Sequence, residues 1–267
     1  MSALRPTVAR TVAPVAAAAA LLVSVATAQP ADRSLRVVLF EARGVGDAAL
    51  RTALAAYAEA GIDARTAGPR AMRDGTALDG ADAVLFTGGR GSVQGRLLGA
   101  RGRAHVRRFV RRGGGYVGIC AGAYLAIQGP AEFHKIGLVA GRNLTGDRWR
   151  RGIRPAELAP ADGSAPVVLH YANGPLFARE PVEGLPPFVT LATFDADVYL
   201  ERFDTHPGEM PGTPAVVAAG FGRGRVLLFS PNPTLAPARP ALLSRGTRWA
   251  ARGGPVSAEL GWADVFE

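Results

Sequence analysis

The only cysteine of the chain, Cys120, stands in Gly118-Ile119-Cys120-Ala121-Gly122, where an apolar run gives way to an alanine-rich one. A thiol at a strand-to-helix turn is the arrangement of a nucleophile elbow, with cysteine where the hydrolase version carries serine. The backbone of so sharp a turn is strained, and its close neighbours must lack side chains, as Gly118 and Gly122 do. Standing at the start of a helix, the thiol is expected to titrate below the free value. The next amide, Ala121 N–H, points to where an oxyanion would form, and Gly88-Gly89-Arg90-Gly91 is the obvious source of a second donor. The plainer use of a cysteine is as a small buried hydrophobe. The whole string from Gly113 to Tyr124 favours the elbow.

A catalytic thiol needs a base. His170 stands at a strand end beside Tyr171-Ala172-Asn173-Gly174, a segment expected to approach the elbow, and His134 follows the nucleophile helix next to Lys135. His105 in an arginine-rich helix and His206 in a Pro/Gly-rich loop read as surface residues. Glu41 closes the first strand and is expected at the same sheet edge as Cys120. Protonated, it would hydrogen-bond a thiolate; ionised, it would raise the thiol pKa. Its plainer role is that of a solvent-facing strand-end acid. No spaced cluster of ligands suggests a metal, and one cysteine excludes an internal disulfide or a multi-thiolate zinc site.

The elements that must position these groups alternate through the first half. Leu35–Glu41, Ile62–Thr66, Ala83–Thr87 and Tyr116–Ile119 read as short apolar strands. Between and after them Ala48–Ala60, Leu97–Arg112 and Ala121–Ile127 read as helices, the second stopped by Gly113-Gly114-Gly115. Continuous apolar strands alternating with helices imply a parallel sheet covered on both faces. In the second half Val167–Tyr171, Val189–Phe194, Tyr199–Phe203, Ala215–Ala219 and Arg225–Phe229 look like strands, with Gly222-Arg223-Gly224 turning between the last two. Ala241–Ala251 reads as a closing helix.

The chain has 267 residues, 48% hydrophobic and 20% charged, too apolar for a disordered chain. Arg5 and Arg10 precede an apolar run from Val12 to Val25 that ends in Ala26-Thr27-Ala28, the pattern of a cleavable secretory signal over residues 1–28. The run is too short for a comfortable membrane span, so stable membrane insertion is not expected. Residues 29–267 are expected to form one exported, periplasmic or secreted domain. Loss of Arg5 and Arg10 with the leader takes the formal charge from +9 to +7. The arginines between Arg101 and Arg112 read as the wet side of an amphipathic helix over Leu98, Val106, Phe109 and Val110. No aromatic interleaving accompanies them, so nucleic-acid binding is not expected. Gly44-Val45-Gly46-Asp47-Ala48-Ala49, with Asp63 beyond, formally meets the dinucleotide fingerprint. It begins too far past its strand, and no cofactor is expected.

Gly113–Leu125, GGGYVGICAGAYL, resembles the elbow of the class I glutamine amidotransferase-like superfamily, and more specifically the N-terminal domain of biotin-protein ligase and its free-standing exported bacterial relatives. Phe86–Ser92, Tyr171–Phe177 and Gly222–Pro231 agree with it. The resemblance implies a flavodoxin-like three-layer α/β sandwich, its mostly parallel sheet carrying Cys120 at the carboxyl edge, with Gly89, Arg90, Ala121 and Asn173 around an oxyanion or ligand site. It does not imply biotin ligation, which belongs to a separate catalytic domain. The superfamily's catalytic His and Glu lie in a His-Pro-Glu string after the last strand. Here that stretch is Ser230-Pro231-Asn232-Pro233-Thr234, so the resemblance puts Asn232 at the base position and Thr234 at the glutamate position. Asparagine cannot accept the thiol proton. Two functions follow: a noncatalytic domain that binds a small amide or peptide ligand or an envelope partner, and a cysteine amidase or hydrolase with a nonstandard base.

Overall fold

The computed structural model describes residues 34–129, 134–144, 151–200 and 207–267. Residues 1–28, expected to form a secretory signal, and His206 lie outside them. The first strands form because apolar and aromatic residues dominate them: β1 (Arg36–Phe40), β3 (Ala83–Phe86) and β4 (Gly115–Ile119), the last with Tyr116, Val117 and Ile119 set among glycines. β2 (Asp63–Ala67) sits at the sheet's edge and alternates in exposure. Between them lie α1 (Asp47–Glu59), α2 (Pro69–Asp74) and α3 (Gly91–Arg111), and α4 (Ala121–Ala126) follows β4. The rest of the chain adds β5 (Arg142–Asn143), β6 (Ile153–Pro160), β7 (Val167–Ala172), β8 (Phe177–Ala178), β9 (Val189–Phe194), β10 (Pro214–Phe221) and β11 (Gly224–Phe229). It closes with α5 (Pro240–Ala251) and α6 (Ala263–Phe266).

The main sheet has the order β2-β1-β3-β4-β11-β10-β9-β6-β7, and β5 pairs with β8 apart from it. From β2 to β11 every pairing is parallel; from β11 to β7 every pairing is antiparallel. Alternate residues of the parallel strands enter two cores. Leu39, Leu85, Val117 and Phe229 meet Tyr57 of α1 and Leu243 and Trp249 of α5. Phe40, Phe86, Tyr116 and Leu228 meet Leu98 and Val106 of α3 and Leu125 of α4. The result is an α/β, flavodoxin-like three-layer sandwich. A Tyr57 hydroxyl bonded to Thr247 Oγ1 at 2.8 Å, itself donating to the Leu243 carbonyl, joins α1 to α5.

Several local expectations change. α3 starts six residues before Leu97, at Gly91, and a kink at Gly99 (φ 69°) separates its two parts. Its arginines are not all wet: Arg103 donates to the Gly95 carbonyl, and Arg107 and Arg111 lie over the Phe221 ring. β6 is a strand the sequence conceals. Tyr199 and Leu200 are not in a strand, and 201–203 lie outside the described residues. Just before them, the fully buried Arg151 draws Asp197 (2.8 Å) and the Val198 carbonyl inward and also pairs with Glu209.

Lys135, the only lysine, donates to the Tyr124 carbonyl at 2.6 Å and lies over the Tyr124 ring; burial pushes its pKa down from 10.5 to about 6. The unfolded chain keeps that proton up to its ordinary value, whereas the folded protein releases it near pH 6. Stability is therefore expected to rise with pH above about 6, on the order of 1 kcal/mol per pH unit, because the unfolded state binds more protons there. Thermal melts at pH 6 and pH 8 should show the rise, and Lys135→Met should flatten it. Equal slopes in the two proteins would contradict the buried amine.

Candidate functional site

β4 lies between β3 and β11, so its end is surrounded by sheet. At Cys120 the backbone turns to φ 50°, ψ −102°, a left-handed φ that a non-glycine residue adopts only under constraint. Two hydrogen bonds supply the constraint: Cys120 N–H donates to the Phe229 carbonyl at 2.8 Å, and the Cys120 carbonyl accepts from Tyr124 N–H at 2.9 Å. The flanking glycines are required sterically. A Cβ on Gly118 would stand 2.8 Å from the Ala123 nitrogen, and one on Gly122 only 1.9 Å from the Phe86 carbonyl oxygen. The Tyr116 hydroxyl, donating to the Gly122 carbonyl at 2.8 Å, ties the strand to the helix it feeds.

The loop after β3 brings the second wall. Gly89 (φ 135°) approaches Gly44 so closely that a Cβ would stand 2.1 Å from the Gly44 carbonyl oxygen. The Gly44–Gly46 stretch braces it: Gly46 N–H donates to Gly88 O at 2.9 Å and Arg90 N–H to Gly44 O at 2.7 Å. From α3, the buried Gln94 amide reaches the carbonyls of Gly44 and Thr87 at 3.3 Å. The glycines of the formal dinucleotide fingerprint thus hold the 88–90 loop in place. Sequence reasoning passed over Gln94, whose signal is a lone polar residue on the apolar side of α3.

The half-buried Cys120 directs its thiol at the Ala172 carbonyl, 3.7 Å away. Burial pushes the thiol pKa up, and the main-chain N–H groups of Gly89 and Ala121, which favour the thiolate, offset this only in part. The expected depression is therefore reversed. α4 has six residues, so its dipole is small, while the surrounding sheet removes solvent.

Asn232, just past β11, is buried at 4% exposure. Its Oδ1 accepts from Thr234 N–H (2.8 Å) and the Thr234 hydroxyl (2.9 Å), and Thr52 of α1 bonds Thr234 Oγ1 at 2.8 Å. Its Nδ2 has no partner among the described residues. A Cβ on Gly88 would stand 3.9 Å from Cys120 Cβ and 4.0 Å from Asn232 Nδ2, so the thiol residue and the amide border the same small space.

The family model described as the N-terminal part of biotin-protein ligase matches residues 40–145, from the end of β1 past the elbow to β5. A crystal structure of a glutamine amidotransferase is 26% identical, covers 80% of this chain and 98% of its own, and superposes with a TM-score of 0.56. The fold is glutamine amidotransferase-like. A crystal structure assigned to a GMP synthase component of Thermoplasma acidophilum is 12% identical, over 76% of this chain and 86% of its own, with a TM-score of 0.49. No curated protein matches in sequence.

The other predicted residues scatter around the edge of this amidotransferase-like sheet. His170 is half-buried and its Nδ1 lies 3.0 Å from the Ala236 carbonyl, while its main chain pairs with Asn232. Glu41 is exposed and makes no side-chain hydrogen bond among the described residues; its N–H holds Ala67 O at 3.0 Å. Asn173 (φ 52°) is exposed, and its Oδ1 accepts from Gly152 N–H at 2.9 Å, so its carbonyl end is spent on the neighbouring turn. Arg90 is exposed and precedes α3. His134 (φ 53°) lies behind α3, its carbonyl 2.5 Å from where a Gly95 Cβ would stand. His105 packs on Gly75 beside Asp74, Arg108 and Arg112, towards the end of α3 that leads into the start of β4 and away from Cys120. Among the described residues there is no cluster of three potential metal ligands, and no helix is long and apolar enough to cross a membrane.

Proposed function

We propose that this protein is an exported, noncatalytic member of the amidotransferase-like fold, which keeps the elbow pocket to bind a ligand and has given up the base that would turn the ligand over. The observation that carries this reading is Asn232. It follows the last strand, at the position where the resemblance to the amidotransferase-like superfamily implies the catalytic histidine; it presents an amide donor to the space beside Cys120, and its acceptor oxygen is occupied by Thr234. A donor there cannot remove a thiol proton. The raised thiol pKa supports the same reading, since a protonated thiol is a poor nucleophile at neutral pH. Export rests on the pattern of Arg5, Arg10, the apolar run and Ala26-Thr27-Ala28.

The test is the rate of iodoacetamide alkylation of Cys120 against pH, with Cys120→Ser as the blank, beside an assay for ammonia released from glutamine. A half-point above the free-thiol value of about 8.5 and no ammonia are expected. A half-point well below it, or ammonia release abolished in Cys120→Ser, would overturn the noncatalytic reading. One observation favours the hydrolase alternative. A His170 whose Nδ1–H donates to Ala236 O keeps Nε2 as the acceptor nitrogen of its ring. His170→Gln would then abolish any turnover, whereas on the binding reading it changes nothing in the thiol titration.

A further inference from the structure

The end of the sheet opposite Cys120 is ringed by arginines. α3 closes at Arg111 and Arg112, the turn from β10 into β11 carries Arg223 and Arg225, and α5 closes at Arg252. Short contacts draw these elements together. A Cβ on Gly222 would stand 2.7 Å from the Arg111 side chain, and Arg223 donates to the Arg112 carbonyl at 3.1 Å. Gly254 N–H, two residues past Arg252, donates to the Arg223 carbonyl at 2.7 Å. Arg111, Arg112, Arg223 and Arg252 are exposed, and none of the five forms an ion pair with a carboxylate among the described residues. Asp74 and Asp79 share a cleft with Arg108 and Arg112, and Asp74 is already paired with Arg70. Burial lowers the pKa of the half-buried Arg225, and the charge of Arg252 lowers it further. The C-terminal ends of α3 and α5 offset part of this charge, at about half a negative charge each, which leaves this end of the molecule near +4.

We infer that this arginine end is a docking surface for the anionic headgroups of a lipid membrane, on which the domain stands with its elbow pocket turned away. The inference is independent of how the pocket is read. The guanidinium groups are spread around the end and do not converge on a socket for a single anion. Arg223 is engaged with Arg112, and Arg225 with the Trp249 and Pro255 carbonyls at 3.2 and 3.4 Å. Such a surface suits a broad, planar field of negative charge. The large hydrophobic residues that are exposed, Leu144, Ile153, Val168 and Tyr199, belong to other elements, so contact is by charge and not by insertion. β4, five residues long, separates Arg112 from Cys120 by roughly 16 Å. That is about twice the Debye length of about 8 Å at physiological ionic strength, so a membrane at one end is screened from charges at the other.

Residues 34–267 form one compact unit, and using that unit keeps the apolar run from Val12 to Val25 out of a lipid-binding assay. The measurement is co-sedimentation with vesicles of phosphatidylglycerol in phosphatidylcholine, against pure phosphatidylcholine. Binding is expected on the anionic vesicles only and should be lost as salt is raised. A triple Arg112→Gln, Arg223→Gln, Arg252→Gln variant should bind about 100-fold more weakly. Arg43, Arg51 and Arg239 are exposed arginines outside this end; changing all three to Gln removes the same charge and should cost less than about fivefold. The triple Arg112→Lys, Arg223→Lys, Arg252→Lys variant should stay within about fivefold of the parent. Equal losses from the two glutamine triples would mean attraction to the overall positive charge, and a lysine triple as weak as its glutamine counterpart would mean a disrupted turn; either result overturns the inference. So would equal binding to the two kinds of vesicle, no binding at all, or duplex DNA bound more tightly than the vesicles at equal phosphate. Alkylation of Cys120 should run at the same rate on vesicles as in solution, and a slowed rate would overturn the orientation.

Discussion

Gly122→Ala is expected to destabilise the protein by about 3–5 kcal/mol, a large part of the 5–15 kcal/mol that holds a typical domain together. The added Cβ would stand 1.9 Å from the Phe86 carbonyl oxygen and 2.5 Å from its carbon. Neither atom can step aside, since Phe86 is paired with Gly118 in the parallel ladder of β3 and β4. The helix must lift instead, which breaks the Tyr116–Gly122 hydrogen bond and reopens the packing of Ala123 and Leu125 against the sheet. At roughly 2–4 °C per kcal/mol for a chain of this size, the melting temperature should fall by about 6–20 °C. Gly88→Ala is the control: the same methyl meets only ordinary van der Waals contacts there and should melt close to the parent protein. A Gly122→Ala melt within about 2 °C of the parent would mean that α4 does not press on β3.

Asn232→His is expected to raise the alkylation rate of Cys120 at pH 7 by about 10- to 100-fold. The parent thiol is held up by burial, with only two main-chain amides opposing it. An imidazole at position 232 would border the space beside the sulfur, accept its proton and leave a thiolate–imidazolium pair; an opposite charge at that range lowers a pKa by about 1–3 units. The pH profile decides the cause: the gain should disappear at acid pH, where the thiolate of the pair takes up a proton, and shrink at alkaline pH, where the parent thiol also ionises. A gain constant across pH would point to a loosened pocket, and no gain would mean that residue 232 does not face the thiol.

The parts of this fold that were legible in the sequence are those where one residue type has one use. Gly118 and Gly122 around Cys120 announce a turn that excludes side chains, and uninterrupted Val, Leu and Phe announce the strands beside it. β6 was hidden because Pro155 and Pro160 read as breakers, yet its register places them opposite His170 and Ala192 in a strand flanked by β7 and β9. Tyr199 and Leu200 misled in the other direction. Their aromatic and apolar character suggested a strand, but the buried Arg151 fixes the preceding Asp197 and Val198 in an irregular path. The thiol pKa was illegible because it balances solvent exclusion against two amides, and exclusion is set by strands far away in sequence. Asn232 and Thr234 stand out as departures from a familiar string; that the departure leaves a buried amide without an acceptor needs coordinates.

The place of β11 has a consequence for the order in which the chain assembles. β4 is complete only when Gly224–Phe229 slots in beside Tyr116–Ile119, and the hydrogen bond that holds Cys120 in its turn is accepted by the last residue of that late strand. During synthesis, residues 34–126 emerge with β4 still an open edge, its polar groups facing a neighbour not yet made. The pocket is thus among the last features to close. Folding must await a long-range pairing, which makes it slow relative to the hairpins of β6 with β7 and β10 with β11. A chain that fixes Cys120 in its turn has, by the same event, joined the parallel half of its sheet to the antiparallel half.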